Sequence, residues 1–263
     1  MKEDRTLSGY DYSVALITAT DTETFGAKAL YPSWKEVQFD GDPQTYFVSS
    51  FERGHTCCPV VLAQQSEMGM TAAAVLSMKL FQRFRPRYII SVGIAAGIAS
   101  IGDDEQFYGD VVVADMIWNY VTGKFVGPQE SDIRFGTVGF IPRPAAIRLE
   151  PMLKKYVQSA AESAENQCHV RIGPMACGSM VVANQEILDK QVHSQFPDTV
   201  GLDMESYAVA YAVEHAVHPR PAALVIKGVS DYANGEKSDE YQKFAAYTSA
   251  QFAKFLYERF LPL

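Results

Sequence analysis

Cysteine is scarce in this sequence, and the few cysteines form no recognisable framework. The 263 residues include four cysteines, two of them adjacent. Cys57 and Cys58 suit neither a structural disulfide nor a common metal site, and no pair that includes Cys168 or Cys177 has zinc-knuckle spacing. The five histidines are scattered rather than clustered at ligand spacing. We therefore predict reduced thiols, a cytoplasmic location and no metal.

Long hydrophobic runs and an excess of basic charge are lacking as well. No apolar run approaches the roughly 20 residues that span a bilayer, and the polar start MKEDRTLSGYDY contains no apolar signal core. Asp and Glu number 31 against 23 Lys and Arg, which gives a net charge of −8. Without a long apolar run, we predict no membrane partner. Because sequence-independent nucleic-acid binding needs a basic surface, we predict no nucleic-acid partner either.

The composition is otherwise that of an ordinary globular protein. Hydrophobic residues make up 48% of the chain, charged residues 21% and aromatic residues 12%. The length suits one domain, and no repeat or low-complexity linker interrupts it. We predict a single domain over residues 1–263, with a flexible segment at 1–12.

Apolar runs that fit strands alternate with longer patterns that fit helices. The strand-like runs lie at 13–20, 59–65, 87–97, 110–118 and 222–230. The helix-like patterns lie at 71–84, 143–166, 198–217 and 238–260. The segment 119–142, between the strand-like run 110–118 and the helix-like pattern 143–166, fits a long loop. The last helix is expected to bury Phe244, Tyr247, Phe252, Phe255 and Leu256. Apolar strands separated by helices predict an α/β fold with a central sheet covered by helices on both sides.

Acidic residues lie at the ends of three predicted elements. Glu23 follows the first strand, Asp231 follows the last strand, and Glu205 lies near the start of a helix-like pattern. Ligands of open α/β sheets collect at the carboxyl ends of strands, so these acids are expected to meet there. Each acid alone is equally typical of a helix cap. Gly93 and Gly97 do not match the dinucleotide-binding fingerprint, and the sequence contains no phosphate-binding loop or serine nucleophile elbow.

Seven segments taken together carry a more specific signal than any single acid. They are VALITATDTE (14–23), SEMGMTAAA (66–74), YIISVGIAAG (88–97), GDVVVAD (109–115), GPMACGSMVVAN (173–184), GLDMESYAVAYA (201–212) and VIKGVSDYAN (225–234). In this combination the chain resembles the nucleoside phosphorylase and nucleosidase superfamily, in particular the methylthioadenosine/S-adenosylhomocysteine nucleosidases. The resemblance implies a three-layer sandwich with a central mixed sheet, no cofactor, and a homo-oligomer that is most often a dimer.

The resemblance also implies roles for the positions that match the family's motifs. The base-protonating aspartate falls on Asp231, and the water-binding glutamate falls on Glu23. The ribose-binding glutamate falls on Glu205, next to the sugar-contacting methionine at Met204. Breaking an N-glycosidic bond leaves positive charge on the sugar and negative charge on the leaving purine. A proton from Asp231, hydroxyl hydrogen bonds to Glu205 and a water activated by Glu23 would meet those needs.

Further substrate contacts are implied on two other segments. The purine is expected along Val181 and Val182. Gly93 and Ile94, in the turn after the third strand, and Ser230, in the Ser-Asp pair, complete the substrate site. Ile94 departs from the family, in which a small polar residue is common at this position near the water or phosphate site.

Hydrolysis and phosphorolysis make different demands on the nucleophile pocket. Related bacterial phosphorylases place an arginine shortly before the VGxxG turn and a serine inside it, where this chain has Ser91 and Ile94. The turn TATDTETFG is acidic and contains no arginine, and Glu23 would repel phosphate. We predict a purine nucleosidase. The alternatives are a phosphate-dependent phosphorylase and a catalytically idle nucleoside-sensing domain, and the intact acids argue against the idle domain.

The group at the 5′ carbon of the sugar separates two substrate classes. An alkylthio nucleoside needs an apolar pocket, which Tyr241 and Phe244 could line, although both also fit core packing. The chain also resembles a bacterial branch of the superfamily that is joined to sensor modules, and some members of that branch look like antiviral effectors that split adenine nucleotides such as ATP. A regulatory or sensor protein would then control this chain. The basic residues that could meet phosphates, or could be surface charges, are Lys124, Arg134, Lys227 and Lys237.

An interface between copies of the chain is predicted at 112–121 and the loop that follows. Met116, Trp118, Tyr120 and Phe125 present more large apolar surface than the entrance of a loop normally exposes. The alternative is that these side chains fold back onto their own core.

Overall fold

A computed structural model describes residues 9–101, 104–125, 140–234 and 240–263. Its strands are β1 (Tyr12–Thr18), β2 (Lys35–Phe39), β3 (Asp42–Arg53), β4 (Thr56–Gln64), β5 (Pro86–Gly97), β6 (Ser100–Ile101), β7 (Asp104–Glu105), β8 (Val111–Asn119), β9 (Gly123–Phe125), β10 (Phe140–Pro142), β11 (Ala146–Arg148), β12 (Val170–Cys177), β13 (Gly201–Asp203) and β14 (Ala222–Asp231). Its helices are α1 (Asp21–Lys28), α2 (Met70–Phe84), α3 (Pro151–Ala161), α4 (Gln185–Ile187), a π-helical turn (Leu188–His193), α5 (Ser206–Glu214) and α6 (Gln242–Arg259). The predicted α/β fold with a central mixed sheet flanked by helices is confirmed.

Ten strands form the central sheet, in the order β11-β8-β12-β13-β5-β1-β4-β3-β2, with β14 paired to both β5 and β8. Strands β1, β4 and β5 are parallel to one another, and β14 runs parallel to β5. Five strands, β5, β14, β8, β12 and β13, each pair with two others of the set and therefore close into a ring. This closure brings the ends of strands that are far apart in sequence to one place.

Helices cover both faces of the sheet, and the alternation of side chains along β1 shows the two layers. Val14 and Leu16 pack into a core that contains Leu256 of α6. Ala15 and Ile17, which point to the other face, pack with Leu80 of α2. The sheet is therefore buried on both sides, as its uniformly apolar strands predict.

The last helix buries only part of the face that was expected. Phe252 and Leu256 are buried as predicted, whereas Phe244 and Tyr247 are 54% and 44% exposed. The buried side of α6 consists largely of alanine and serine, which allows its backbone to approach the sheet closely. A Cβ atom added at Gly228 of β14 would lie only 2.0 Å from the backbone oxygen of Ala245. Large aromatic side chains have no room at such a contact.

Two predicted helices each contain a strand that sequence periodicity did not reveal. The first is replaced by β11, which pairs antiparallel with β8, followed by α3. Proline at the first position of α3 has a fixed φ that suits a helix start, so the helix begins there. The second is replaced by β13, which closes the strand ring, followed by α5. The β2–β3 hairpin was not predicted either, because its half-exposed strands lack a continuous apolar run.

The apolar patch predicted as an interface is part of the core. Met116, Trp118 and Tyr120 are 4%, 0% and 2% exposed, and all three belong to one buried cluster. The prediction that these residues form an interface is wrong, because their side chains pack into the core of their own chain. The side chain of Phe125 lies outside the described part of the chain.

Two further expectations were a flexible segment at 1–12 and the lack of a membrane-spanning segment. Residues 1–8 of the expected flexible segment lie outside the described residues. Within it, Tyr10 donates a hydrogen bond to the carbonyl of Arg220, and the Asp11 amide donates one to the carbonyl of Arg85. Within the four described ranges, no helix has the length and apolar character needed to cross a membrane.

Candidate active site

The three predicted acids reach one cavity, which Asp203 at the end of β13 also lines. Glu23 lies in the first turn of α1, Glu205 lies between β13 and α5, and Asp231 is the last residue of β14. All three are buried, with exposures of 2%, 6% and 7%. The cavity has a volume of about 250 Å³ and is lined by Ala19, Thr20, Glu23, Met68, Ile94, Ala95, Ala96, Tyr120, Met180, Val181, Val182, Leu202, Asp203, Met204, Glu205, Ser230, Asp231, Ala233 and Gln242.

Glu23 is held by the start of its own helix and by a neighbouring strand. Thr20 caps α1 and forms a reciprocal capping box with Glu23. Oε2 of Glu23 accepts hydrogen bonds from the amides of Ala19 and Thr20, at 2.5 and 3.2 Å. Oε1 accepts a hydrogen bond of 2.8 Å from the amide of Ile94 in β5. Glu23 is therefore both the partner of Thr20 in the capping box of α1 and a fixed carboxylate in the wall of the cavity.

Gly93 is required by the position of Glu23. A Cβ atom at Gly93 would lie 2.0 Å from Oε1 of Glu23, so any larger residue would displace the carboxylate. The φ angle of Gly93 is +153°, a conformation that residues with a Cβ rarely adopt. Gly93 thus contributes to the site by leaving space rather than by lining the cavity. Ile94, the next residue, lines the cavity with its side chain.

Glu205 is fixed by the segment that precedes α2. Its Oε1 accepts a hydrogen bond of 2.8 Å from the amide of Gly69 and a longer one, of 3.5 Å, from Nε2 of Gln65. Its Oε2 accepts a hydrogen bond of 3.3 Å from the amide of Met204. These contacts hold the carboxylate in one orientation with lone pairs left over for a ligand.

Burial makes Glu205 a weaker acid than an exposed glutamate. Removal from water, together with the nearby carboxylates of Asp203 and Glu23, raises the pKa of Glu205 to about 7. The cation of Lys227 and the hydrogen bond from Gly69 act in the opposite direction. Glu205 therefore changes its charge close to neutral pH.

Lys227 is a buried cation among these acids. It lies in the middle of β14 with 1% exposure, and its Nζ is 3.5 Å from Oδ2 of Asp203. Burial alone would lower the pKa of this ammonium group, but the carboxylates of Glu23, Asp203 and Glu205 raise it above its usual value. The interpretation of Lys227 as a surface charge is wrong. The sequence did contain a signal for this burial, because Lys227 lies inside an apolar predicted strand. A lysine that is buried there must be paired with acidic groups.

Asp231 is the last residue of β14, at the carboxyl end of the strand. Oδ1 accepts a hydrogen bond of 3.0 Å from the amide of Ala233, whose positive φ of 55° turns the chain back toward the carboxylate. Oδ2 lies 3.2 Å from Oγ of Ser230, which is also 3.4 Å from the carbonyl oxygen of Ala95. Ser230 lines the cavity and orients Asp231.

The rest of the described lining is largely apolar. Val182 is buried, whereas Met68, Met180 and Val181 are more than half exposed and lie at the rim. Met204 also lines the cavity. None of the described lining residues is a lysine, an arginine or a histidine. Among the described residues, no group of three or more His, Cys, Asp or Glu side chains could hold a metal ion.

Tyr241 does not line the cavity, in contrast to the prediction. Its ring is stacked on that of Tyr108, with centroids 4.1 Å apart and planes 3° from parallel. The neighbouring Gln242 lines the cavity instead. Of the basic residues considered for phosphate binding, Lys124 lies on β9, and Arg134 and Lys237 lie outside the described residues.

A larger cavity, of about 450 Å³, lies elsewhere in the fold. Its lining includes Arg87, Arg148 and Arg220 and residues of α3 and α5, but none of the three predicted acids. Size alone does not identify a reactive site, and the convergence of buried acids does. The smaller cavity is therefore the candidate active site.

The fold agrees with the comparisons with known proteins. The family model described as "Phosphorylase superfamily" matches residues 14–261, and the chain belongs to this family. An uncharacterized protein of Sinorhizobium fredii is 31% identical over 87% of this chain, which spans 56% of the length of that protein. A 5′-methylthioadenosine/S-adenosylhomocysteine nucleosidase of Marinomonas sp. is 29% identical over 90% of this chain and 94% of its own length.

Solved structures show the same fold. An S-adenosylhomocysteine nucleosidase from Streptococcus pyogenes, in complex with 5-methylthiotubericidin, superimposes with a TM-score of 0.72 at 24% identity, covering 98% of this chain and all of that one. A futalosine hydrolase of Helicobacter pylori superimposes with a TM-score of 0.70 at 19% identity, covering 94% and 97%.

Proposed function

We propose that this chain hydrolyses the N-glycosidic bond of adenine nucleosides. It is a purine nucleosidase, an N-glycosyl hydrolase that releases the free base and a ribose derivative. The observation that carries this proposal is the convergence of Glu23, Glu205 and Asp231 from separate elements, with Asp203 as a fourth buried acid, on one largely apolar cavity. The nucleosidases among its relatives, which match it over nearly their whole length, support the same reaction.

Each acid has a distinct role in this reaction. Asp231 gives its proton to the leaving purine and so prevents the build-up of negative charge on the base. Glu205 accepts hydrogen bonds from the ribose hydroxyls and stabilises the cationic sugar. Glu23 orients a water molecule and accepts its proton as the new carbon–oxygen bond forms. Lys227, a buried cation in β14, offsets part of the negative charge of these acids.

Water suits this cavity as the nucleophile better than phosphate does. Phosphate binding needs cationic or amide donors, and the described lining offers no basic side chain. The amides that reach the nucleophile side already donate to Glu23, whose charge would repel a phosphate.

The same absence of cations from the described lining favours substrates with an uncharged 5′ group. The apolar rim at Met68 and Met180 suits an alkylthio group.

Release of adenine from a panel of substrates tests the proposed function. The panel contains 5′-methylthioadenosine, S-adenosylhomocysteine, adenosine, AMP and ATP, each with and without phosphate. We expect adenine release from one or both thio nucleosides and no dependence on phosphate. Cleavage confined to AMP or ATP would identify a nucleotide hydrolase and support an effector role, whereas binding without release would identify a sensing domain.

The activity is expected to fall as the pH drops below about 7. The raised pKa of Glu205 means that its carboxylate form, which accepts the ribose hydroxyls, is present above that value and is lost below it. The pH profile of kcat/KM checks this expectation, because it reports the ionisations of the free enzyme. A profile that stays flat from about pH 8 down to about pH 5 would contradict the role of Glu205.

We propose further that the chain forms a homodimer. Three exposed apolar side chains provide a face for a second copy: Met68 in the cavity lining just before α2, Val75 on α2, and Tyr211 on α5, which packs against α2. Light scattering at micromolar concentration should give about twice the mass of one chain or a higher multiple, and Val75→Glu should lower that mass. A fully active monomer would be evidence against this interface.

A further inference from the structure

Tyr120 connects the end of β8 to the segment expected to hold the purine. Its hydroxyl donates a hydrogen bond of 3.1 Å to the carbonyl oxygen of Met180. Its amide donates one of 3.2 Å to the carbonyl of Cys177, at the end of β12. The side chain lines the cavity although it is only 2% exposed. Tyr120 therefore contacts a short stretch of cavity wall at Met180 and the strand end that precedes it at Cys177.

That stretch depends on contacts for its position. Residues 178–184, between β12 and α4, form neither helix nor strand. At its start, a Cβ atom on Gly178 would lie 2.4 Å from the Cε1 and Cζ atoms of Tyr120, so the tyrosine ring packs directly on the glycine. Val182 packs in the same buried cluster as Tyr120. The ring of Tyr120 thus packs on Gly178, and its hydroxyl holds the carbonyl of Met180, so one residue supports the first half of the segment.

The hydroxyl of Tyr120 keeps its proton at neutral pH. Burial, with smaller contributions from Cys177 and Asp203, raises the pKa of Tyr120 to about 12. The group is consequently a permanent donor to the carbonyl of Met180. Tyrosine is also the one aromatic residue among the described lining residues of this cavity.

We propose that Tyr120 is a positioning residue for the base, which sets the place of Val181 and Val182 against the plane of the purine. This proposal rests on the proposed function, because it assumes that adenine binds along these residues. Tyr120 does not act on the reacting bond. Its loss should therefore weaken the binding of substrate and adenine alike and leave the turnover of bound substrate nearly unchanged.

The variant Tyr120→Phe, which keeps the ring and removes one hydrogen bond, tests this proposal. We expect the KM for 5′-methylthioadenosine and the Kd for adenine, measured by calorimetry, to rise roughly three- to tenfold, with kcat within about twofold. The matched control is Tyr88→Phe, which removes a buried hydroxyl that donates to the carbonyl of Pro262, away from the cavity. The control should leave KM, Kd and kcat unchanged. Gly178→Ala, which displaces the ring, should reproduce the effect on KM and Kd.

An unchanged Kd and KM in Tyr120→Phe would overturn the proposal, and so would an equal loss in the Tyr88→Phe control. A fall in kcat without a change in Kd would overturn it as well, since it would point to a part in the chemical step. The Kd for adenine does not depend on turnover. If the wild-type chain binds adenine but cleaves no nucleoside, the proposed function fails, while the comparison of Kd values still decides the role of Tyr120. If it neither binds adenine nor cleaves, both proposals fail.

Discussion

Replacing Asp231 by asparagine is expected to lower kcat by at least about a hundredfold while the substrate still binds. Transfer of a proton by a positioned side chain is typically worth roughly 10² to 10⁴ in rate, and asparagine keeps the shape but has no proton to give. The amide oxygen of asparagine can still accept from the amide of Ala233, so the local turn should persist. Steady-state kinetics and a binding measurement on Asp231→Asn separate the two effects.

The matched control for this variant is Asp198→Asn, which makes the same chemical change at an exposed position outside the cavity. The control should retain the kcat of the wild-type chain. Turnover close to that of the wild type in Asp231→Asn at saturating substrate would remove Asp231 from the role of proton donor.

Replacing Glu23 by glutamine should be comparably severe. Glutamine cannot take a proton from water, and its amide group would face the amides of Ala19, Thr20 and Ile94 that now donate to a carboxylate. We expect kcat to fall by roughly a hundredfold or more, with no recovery when phosphate is added. Adenine release and analysis of the sugar product measure both effects.

A second acid in the same turn of α1 provides the control. Asp21 is exposed and accepts a hydrogen bond from Gln64 on the surface, so Asp21→Asn should leave the rate unchanged.

The sugar product of the wild-type chain should be free ribose or a ribose derivative. Detection of ribose 1-phosphate would promote the phosphorylase interpretation, and activity restored to Glu23→Gln by phosphate would do the same.

The sequence alone predicted the elements whose signals are local. The strands at β1, β4, β5, β8 and β14 were found from apolar runs, because strands buried on both faces have no polar positions. The end of α2 was found from Pro86, which cannot continue a helix, and Arg85 does close that helix in a left-handed conformation. The convergence of Glu23, Glu205 and Asp231 was also within reach, since acids at strand ends must gather at one edge.

Only the tertiary structure decided what depends on pairing between distant segments. The three-residue strand β13 has too few residues for any periodicity, and it exists because β5 and β12 lie on either side of it. That closure of the strand ring turned Trp118 and Tyr120 from a predicted surface patch into core and cavity wall. It also enclosed Lys227 among carboxylates contributed by other parts of the chain. Local sequence specifies which residues can be buried or charged, but their partners are set by long-range packing, which no local pattern encodes.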